Sequence, residues 1–304
     1  MMNVGIIGYP LTFTLSGTLH HFLMQAMCIE GDYRVYPTPA ERLEEVIQQL
    51  QQKGLRGLNV TIPHKVNVLP LCNTLEASAD LIQAVNTLIF PSDSHSSSGP
   101  VGENTDIHGF LAGIPEPVVT TLSNRPSLIL GAGGAARAVI AGLIQHQVPA
   151  LTLAVRNPEK AKETLVLAES IKEKLSAFTV LNVVPLSELG DISGYELVVN
   201  TTPIGQKEGE TLLSPDQINA LLENTLVYDL LYQRSTTPLM ATAQQKGLQT
   251  VGGLPMLVHQ GVRSFELWSG QTVPENIIKQ CLDHLAVKSM MKQPNMVNSL
   301  LDRL

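Results

Sequence analysis

The chain has 304 residues, enough for two domains, and its composition of 44% apolar and 15% charged residues favours large buried cores over disorder. A net charge of −7 with no basic block argues against nucleic acid as a partner, so any anion must be gripped by a few local donors. Cys28, Cys72 and Cys281 are widely spaced and form no C-x-x-C pair, residues 1–10 lack a basic and apolar leader, and no apolar run reaches membrane-spanning length, a pattern that predicts a cytoplasmic protein.

Asn3 to Gly8 predicts a short strand that breaks at Gly8-Tyr-Pro10. After the polar stretch Thr12 to Ser16, Leu19, Phe22, Leu23, Ala26 and Met27 mark one face of a helix. Tyr33 to Tyr36 reads as a second strand, Leu43, Val46, Ile47 and Leu50 as an amphipathic helix, and Leu55 to Ile62 as a third strand. Strands alternating with helices imply a mainly parallel sheet. In the third strand Leu58, Val60 and Ile62 should face one way and Asn59 and Thr61 the other. Pro63 then ends the pairing and leaves Lys65 at the carboxyl end, where open α/β sheets place ligands. Val85 to Phe90 predicts another strand, and Pro91 to Pro100, with five serines and two prolines, a flexible hairpin loop. The chain returns through Val101 to Ile107, and a domain boundary is expected near Asp106.

The clearest motif begins at Ser127. Leu128 to Leu130 is an apolar run that stops at Gly131, with Gly133 and Gly134 crowding the turn. Ala135, Ala138, Val139, Gly142 and Leu143 then recur at helical spacing. Strand, glycine turn and helix together predict a dinucleotide site. Gly131 permits the tight turn, Gly133 admits a pyrophosphate close to the backbone, and the helix start offers free N–H groups. Ala136 replaces the third glycine of the pattern. Leu151 to Val155 is the next strand, and Asn157 can cap a helix with Pro158 in its first position. An NAD site usually carries an acid at this strand end, whereas here Arg156 and Lys160 are placed to meet a 2′-phosphate, which favours NADP. Glu159 nearby weighs slightly the other way.

Phe178 to Val184, Glu196 to Asn200 and Leu226 to Asp229 are further strand candidates. Ser214-Pro-Asp-Gln217 forms a capping box opening a helix toward Leu222. From Leu254 a helical pattern runs through Leu257, Gly261, Ser264, Phe265 and Trp268, and a last one holds Ile277, Ile278, Cys281, Leu282 and Leu285. No strand follows these two helices, so they are expected to pack back on the first domain, and Met290 to Leu304 forms a tail. His20, His21, His64 and His259 have no metal-ligand spacing and are expected to be satisfied or solvent-facing.

With these segments in hand, the chain resembles the shikimate dehydrogenases, NADP-linked oxidoreductases of aromatic amino-acid biosynthesis, up to about Leu285. The matching segments are Gly8-Tyr-Pro10 leading to Ser16, Asn59-Val-Thr-Ile-Pro-His-Lys65, Ala84-Val-Asn-Thr-Leu88, Gly102-Glu-Asn-Thr-Asp106, Gly131 to Ala135, Asn200-Thr-Thr-Pro-Ile-Gly205, and Gly253-Leu-Pro-Met-Leu-Val-His-Gln260. The resemblance implies a substrate domain of residues 1–105 plus 253–304 and a Rossmann-type NADP domain of residues 106–252. It implies that Lys65 and Asp106 are the catalytic pair, and that Thr14, Ser16, Thr61, Asn86, Tyr232 and Gln260 hold the substrate. The cofactor would be lined by Gly131, Ala132, Gly133, Gly134, Ala135, Arg156, Asn157, Lys160, Thr201, Leu230 and Gly253. Thr14 stands where the family has Ser, Gly17 where it has Pro, and Val155 where an Asn commonly precedes the phosphate-binding Arg. The expected partner is shikimate or 3-dehydroshikimate, with the protein a monomer or homodimer. The alternatives are an NAD-linked quinate/shikimate dehydrogenase and a non-catalytic NADP-binding regulator.

Overall fold

The computed structural model describes residues 1–11, 14–91, 98–207 and 209–291. The chain divides into two units, Met1–Gly109 with Val258–Leu285, and Phe110–Leu257 with Ala286–Leu304.

The first unit begins with β1 (Met2–Gly8), α1 (Ser16–Ala26), β2 (Gly31–Pro37), α2 (Leu43–Gln52) and β3 (Gly57–Val60). It continues with β4 (Thr74–Leu75), α3 (Ala77–Ile82), β5 (Thr87–Ile89) and β6 (Val101–Glu103). Its sheet runs β2-β1-β3-β5-β6-β4. β1 pairs in parallel with β2 and β3, and β4 with β6, while β5 runs antiparallel to both its neighbours. The antiparallel β5–β6 pair is the expected hairpin, although residues 92–97 of its loop lie outside the described residues. The stretch Leu55 to Ile62 is strand only over Gly57–Val60, and all four of those residues are buried. The alternation of faces therefore stops at Val60, and Ile62, 73% exposed, has left the sheet.

Packing follows the apolar stripes. On α2, Leu43, Ile47 and Leu50 turn inward and Glu44 and Glu45 open the helix, where carboxylates complement the dipole. That stripe meets Ile7, Leu58, Val60 and Leu88 in one core. Gly57 belongs to a tight spot of this unit. A Cβ there would lie 2.2 Å from the Leu88 carbonyl oxygen and 2.2 Å from Trp268 Nε1, two atoms that already form a 3.0 Å hydrogen bond. A second buried feature is polar. His20 stacks on Tyr33 at 4.5 Å between ring centroids, and its Nε2 lies 3.2 Å from Asn59 Oδ1. An amide oxygen only accepts, so Nε2 carries the proton and Nδ1 is left buried without a partner among the described residues.

The second unit contains α5 (Glu116–Val119), entered through α4 (Asp106–Ala112), then β7 (Ser127–Leu130), α6 (Gly134–Gln145), β8 (Ala150–Val155), α7 (Pro158–Lys174) and β9 (Val180–Pro185). β10 (Leu197–Asn200), α8 (Pro215–Ala220), β11 (Leu226–Asp229), α9 (Pro238–Gln245) and β12 (Gln249–Val251) complete its βα pattern. Two long helices follow, α10 (Leu254–Ser269) and α11 (Glu275–Met291), and the unit division falls inside α4, α10 and α11. The tail from 292 lies outside the described residues. All pairs in this sheet are parallel and the order is β12-β11-β10-β7-β8-β9. Counted from β7 as the first strand, that order is 3-2-1-4-5-6 reversed, the doubly wound arrangement whose switch point lies between β7 and β10. Asn157 caps α7 by accepting the Glu159 N–H, and the Ser214–Gln217 capping box opens α8, as their spacing predicts. Phe178 falls before β9 and is 92% exposed, so that strand starts at Val180. No helix among the described residues is long and apolar enough to cross a membrane.

Two stability measurements check this packing. Gly57→Ala should cost about 2–3 kcal/mol in denaturant unfolding by forcing backbone and indole apart. Gly17→Ala, on a helix with nothing nearer than 3.8 Å to the new Cβ, should instead add about 0.5–1 kcal/mol. His20 is held neutral, its pKa pushed by burial from 6.5 down to about 3. Between those values the unfolded chain binds a proton that the folded chain does not, so stability falls as pH drops from 6.5 toward 3. His20→Gln should flatten the stability–pH slope in that window by about 1.4 kcal/mol per pH unit.

Candidate active site

Lys65 sits in a run of turns that leaves β3, and the backbone on both sides of it is tied down. The His64 N–H donates to the Thr61 carbonyl at 2.9 Å, and the Lys65 carbonyl accepts the Val85 N–H at 2.7 Å. The His64 ring is fully buried and donates from Nε2 to the Thr38 carbonyl at 2.6 Å. With its main chain fixed in this way, Lys65 extends its ammonium to Asp106 Oδ2 at 2.5 Å. Only 23% of the lysine side chain and 12% of the aspartate side chain is exposed.

Asp106 is anchored from three directions. It is the first residue of α4, where a carboxylate is favourably placed against the helix dipole. Its N–H donates to Asn104 Oδ1 at 3.0 Å, an Asx turn, and Asn104 Nδ2 donates to the Ala84 carbonyl at 2.9 Å. Its second oxygen, Oδ1, accepts from Asn86 Nδ2 at 2.9 Å. Asn86 is held in turn by Thr105, since Oδ1 takes the Thr105 N–H at 2.8 Å and Nδ2 also donates to Thr105 Oγ1 at 2.9 Å. Gln260 Oε1 stands 3.5 Å from the same Nδ2. The structure thus brings Lys65, Asp106, Asn86 and Gln260 into one cluster.

Beneath this cluster lies a buried polar layer that sequence reasoning did not assign. Asn59 Nδ2 donates to Ser264 Oγ at 3.0 Å, Asn59 Oδ1 accepts the Tyr33 hydroxyl at 2.9 Å, and Ser264 Oγ lies 2.8 Å from Thr87 Oγ1. Thr87 donates on to Asn86 Oδ1 at 2.9 Å, and Ser264 donates to the Gln260 carbonyl at 3.1 Å. Ser264 is visible in the sequence only as a polar residue one helical turn after Gln260 on an apolar face. Thr14 and Ser16 form a separate pair, with Thr14 Oγ1 donating to Ser16 Oγ at 2.9 Å and accepting the Ser16 N–H at 3.1 Å. Burial raises the pKa of the Tyr33 phenol, whose hydroxyl donates to Asn59. Thr61 takes its place through its N–H on the Ile7 carbonyl at 3.0 Å, beside Gly8.

In the second unit a cavity of about 630 Å³ opens at the switch point. Gly131, Ala132, Gly133, Arg156, Asn157, Lys160 and Thr201 line it, together with Thr202 to Ile204 from the Asn200–Gly205 segment, and with Leu186 and Leu212 as walls that the sequence does not mark. Gly131 has φ +105°, and a Cβ there would come within 2.7 Å of Thr202 Cγ2 and 2.9 Å of Thr201 Oγ1. Only glycine suits that position. A Cβ on Gly133 would meet nothing within 4 Å, so the turn faces open space. α6 starts with no side-chain cap and no acid in its first turn, which leaves its N–H groups to an anion. Gly134 and Ala135 begin α6 and are not among the cavity walls.

Arg156 and Lys160 have no ion pair or side-chain hydrogen bond among the described residues, whereas the Glu159 carboxylate is engaged by Lys162 at 2.5 Å. The cation pair is therefore available, and the acid that argued for NAD is occupied. The Thr201 hydroxyl is committed to the Leu130 carbonyl at 2.8 Å, so its wall offers a methyl and backbone. A glycine turn with open space, an uncapped helix start and two free cations fit a dinucleotide with an added phosphate.

The remaining residues cluster around β11. Asp229 Oδ1 accepts from Asn200 Nδ2 at 3.0 Å and its Oδ2 accepts the Thr237 hydroxyl at 2.6 Å. Burial pushes this carboxyl up, and the hydrogen bonds from Thr237, Leu231 and Asn200 oppose that. The clamp fixes the ends of β10 and β11 that carry Thr201 and Leu230. A Cβ on Gly253 would lie 2.0 Å from the Leu230 carbonyl oxygen, which makes glycine obligatory there. Tyr232 lines a second cavity of about 230 Å³ with Gly253 and Arg234, and burial raises its phenol above the ordinary range.

Comparison with known proteins agrees with this arrangement. The model of the shikimate dehydrogenase substrate binding domain matches residues 6–88, and that of the shikimate 5'-dehydrogenase C-terminal domain matches residues 253–280. The shikimate dehydrogenase (NADP(+)) of Synechocystis sp. is 37% identical over 289 residues, 94% of this chain and 96% of that protein. That of Magnetococcus marinus is 35% identical over 280 residues, 92% of this chain and 94% of its own. The crystal structure of shikimate 5-dehydrogenase from Thermus thermophilus in complex with NADP(H) and shikimate superposes with a TM-score of 0.76 at 30% identity, covering 93% of this chain and 99% of that one. With relatives 35% and 37% identical over more than nine-tenths of its length, the chain belongs to the shikimate dehydrogenase family.

Proposed function

We propose that the chain catalyses the reversible reduction of 3-dehydroshikimate to shikimate with NADPH, in chorismate and aromatic amino-acid biosynthesis. The observation that carries this reading is the Lys65–Asp106 pair, a mostly buried ion pair 2.5 Å across whose partners are both fixed by other residues. The first unit is the substrate domain and the second the NADP domain. In the second, the glycine turn and the start of α6 receive the pyrophosphate, Arg156 and Lys160 the 2′-phosphate, and Asn157, Thr201, Leu230 and Gly253 the rest. When bound, the nicotinamide supplies a hydride to C3 of the ketone.

The chain's own groups account for the rest. Negative charge grows on the substrate oxygen as the ketone is reduced, and the Lys65 ammonium stabilises that charge and delivers the proton. Asp106 accepts a hydrogen bond from the adjacent substrate hydroxyl and holds the ammonium in place. Asn86, Thr61, Tyr232 and Gln260 orient the ring hydroxyls, and Thr14 and Ser16 grip the carboxylate. The acidic composition supports a small-molecule partner rather than nucleic acid. The protein is assigned to the cytoplasm, as a monomer or homodimer.

Lys65→Ala should lower kcat about 10²–10⁴-fold with little change in the KM for shikimate, because the ammonium acts mainly in the transition state. Near-normal turnover of the variant contradicts the assignment. Arg156→Ala should raise the KM for NADP⁺ at least about tenfold and leave that for NAD⁺ nearly unchanged. Equal effects on the two would remove Arg156 from 2′-phosphate recognition.

A further inference from the structure

Thr164 lies in the middle of α7, one turn beyond Lys160, and is 3% exposed. A threonine inside a helix usually returns its hydroxyl to the carbonyl one turn back. Here Oγ1 leaves its own helix and donates to the Ala132 carbonyl at 2.8 Å, in the middle of the glycine turn. Ala132 and Lys160 both line the 630 Å³ cavity. Residues at i and i+4 share a helix face, so Thr164 stands on the same side of α7 as Lys160.

The two parts of the cavity that grip phosphate are otherwise held by different supports. The glycine turn hangs from the sheet through the Gly131 N–H on the Ala154 carbonyl at 2.9 Å. The first turn of α7 is set by Asn157, which caps it at 3.0 Å. The Thr164 bond joins them directly. Because the peptide is planar, fixing the Ala132 carbonyl also fixes the direction of the Gly133 N–H.

We propose that Thr164 is a positioning residue that sets the spacing between the glycine turn and the first turn of α7, and thereby contributes to the preference for NADP over NAD. The inference rests on the NADP reading of this cavity. NAD presents only neutral ribose hydroxyls to the start of α7, whereas NADP must set a charged 2′-phosphate on Arg156 and Lys160 there while the turn holds its pyrophosphate. A spacing that is already correct lowers the cost of that double engagement.

The test is titration of NADP⁺ and NAD⁺ into the full-length protein, with dissociation constants read from intrinsic fluorescence or calorimetry. Thr164→Val keeps the shape and β-branching and removes the hydroxyl. It should weaken NADP⁺ about fivefold, the equivalent of one hydrogen bond, and NAD⁺ by less than about twofold. Thr164→Ser should restore most of the NADP⁺ affinity. Equal weakening of both nucleotides, or no weakening of either, overturns the spacer while leaving the NADP reading intact. A parent protein with no preference for NADP⁺ overturns both.

Discussion

Two opposite charges removed from most of their water, as in the Lys65–Asp106 pair, are favourable only when geometry and further hydrogen bonds compensate the lost hydration. Here the compensation is visible: Asp106 receives Lys65, the Asn86 amide and a helix N-terminus, while its own N–H is taken by Asn104. Lys65 in turn is held by a buried histidine before it and a main-chain bond at its own carbonyl. A lysine on a loose surface turn would lose rotamer freedom each time it engaged a partner. In this arrangement most of that ordering is already complete.

The polar layer under the pair explains why the first unit tolerates so many buried amides and hydroxyls. Asn59, Ser264, Thr87, Thr105 and Asn86 satisfy one another, so the layer avoids the penalty of unpaired polar groups and supplies direction to the groups above it. Its weak point is His20, whose buried Nδ1 has no partner among the described residues. The second unit uses the opposite strategy around the glycine turn. Backbone groups and missing side chains make the site, and the charged residues at its edge, Arg156 and Lys160, have no protein partners among the described residues. An acidic protein that binds a polyphosphate needs such local donors, because its overall field opposes the ligand.

Much of this was legible in the chain. Buried parallel strands announce themselves as short apolar runs, and β11 falls on Leu226–Asp229, the range its composition predicts. The glycine turn and the cation pair at the start of α7 were readable because their chemistry is local in sequence. Strand ends were less so: Ile62 and Phe178 look like strand residues but lie outside the sheets, since hydrophobicity does not say where pairing stops. β12 has three residues and α9 eight, too short for a periodic signal, although Thr237-Pro238 does cap α9. The contact between Lys65 and Asp106 spans 41 positions, and nothing in composition or spacing foretells it. Family resemblance pointed to both residues. Thr164 carries no such signal, because a polar residue in mid-helix has no sequence mark that separates a solvent-facing hydroxyl from one bound to another element.

The proposed site oxidises a ring alcohol with a nicotinamide dinucleotide whose adenosine ribose carries a 2′-phosphate. Initial rates of nicotinamide reduction, measured by absorbance for the purified full-length protein with shikimate or quinate and with NADP⁺ or NAD⁺, test it most directly. Shikimate with NADP⁺ is expected to give the highest kcat/KM of the four combinations. A highest value for quinate with NAD⁺, or no reduction in any combination, would contradict it.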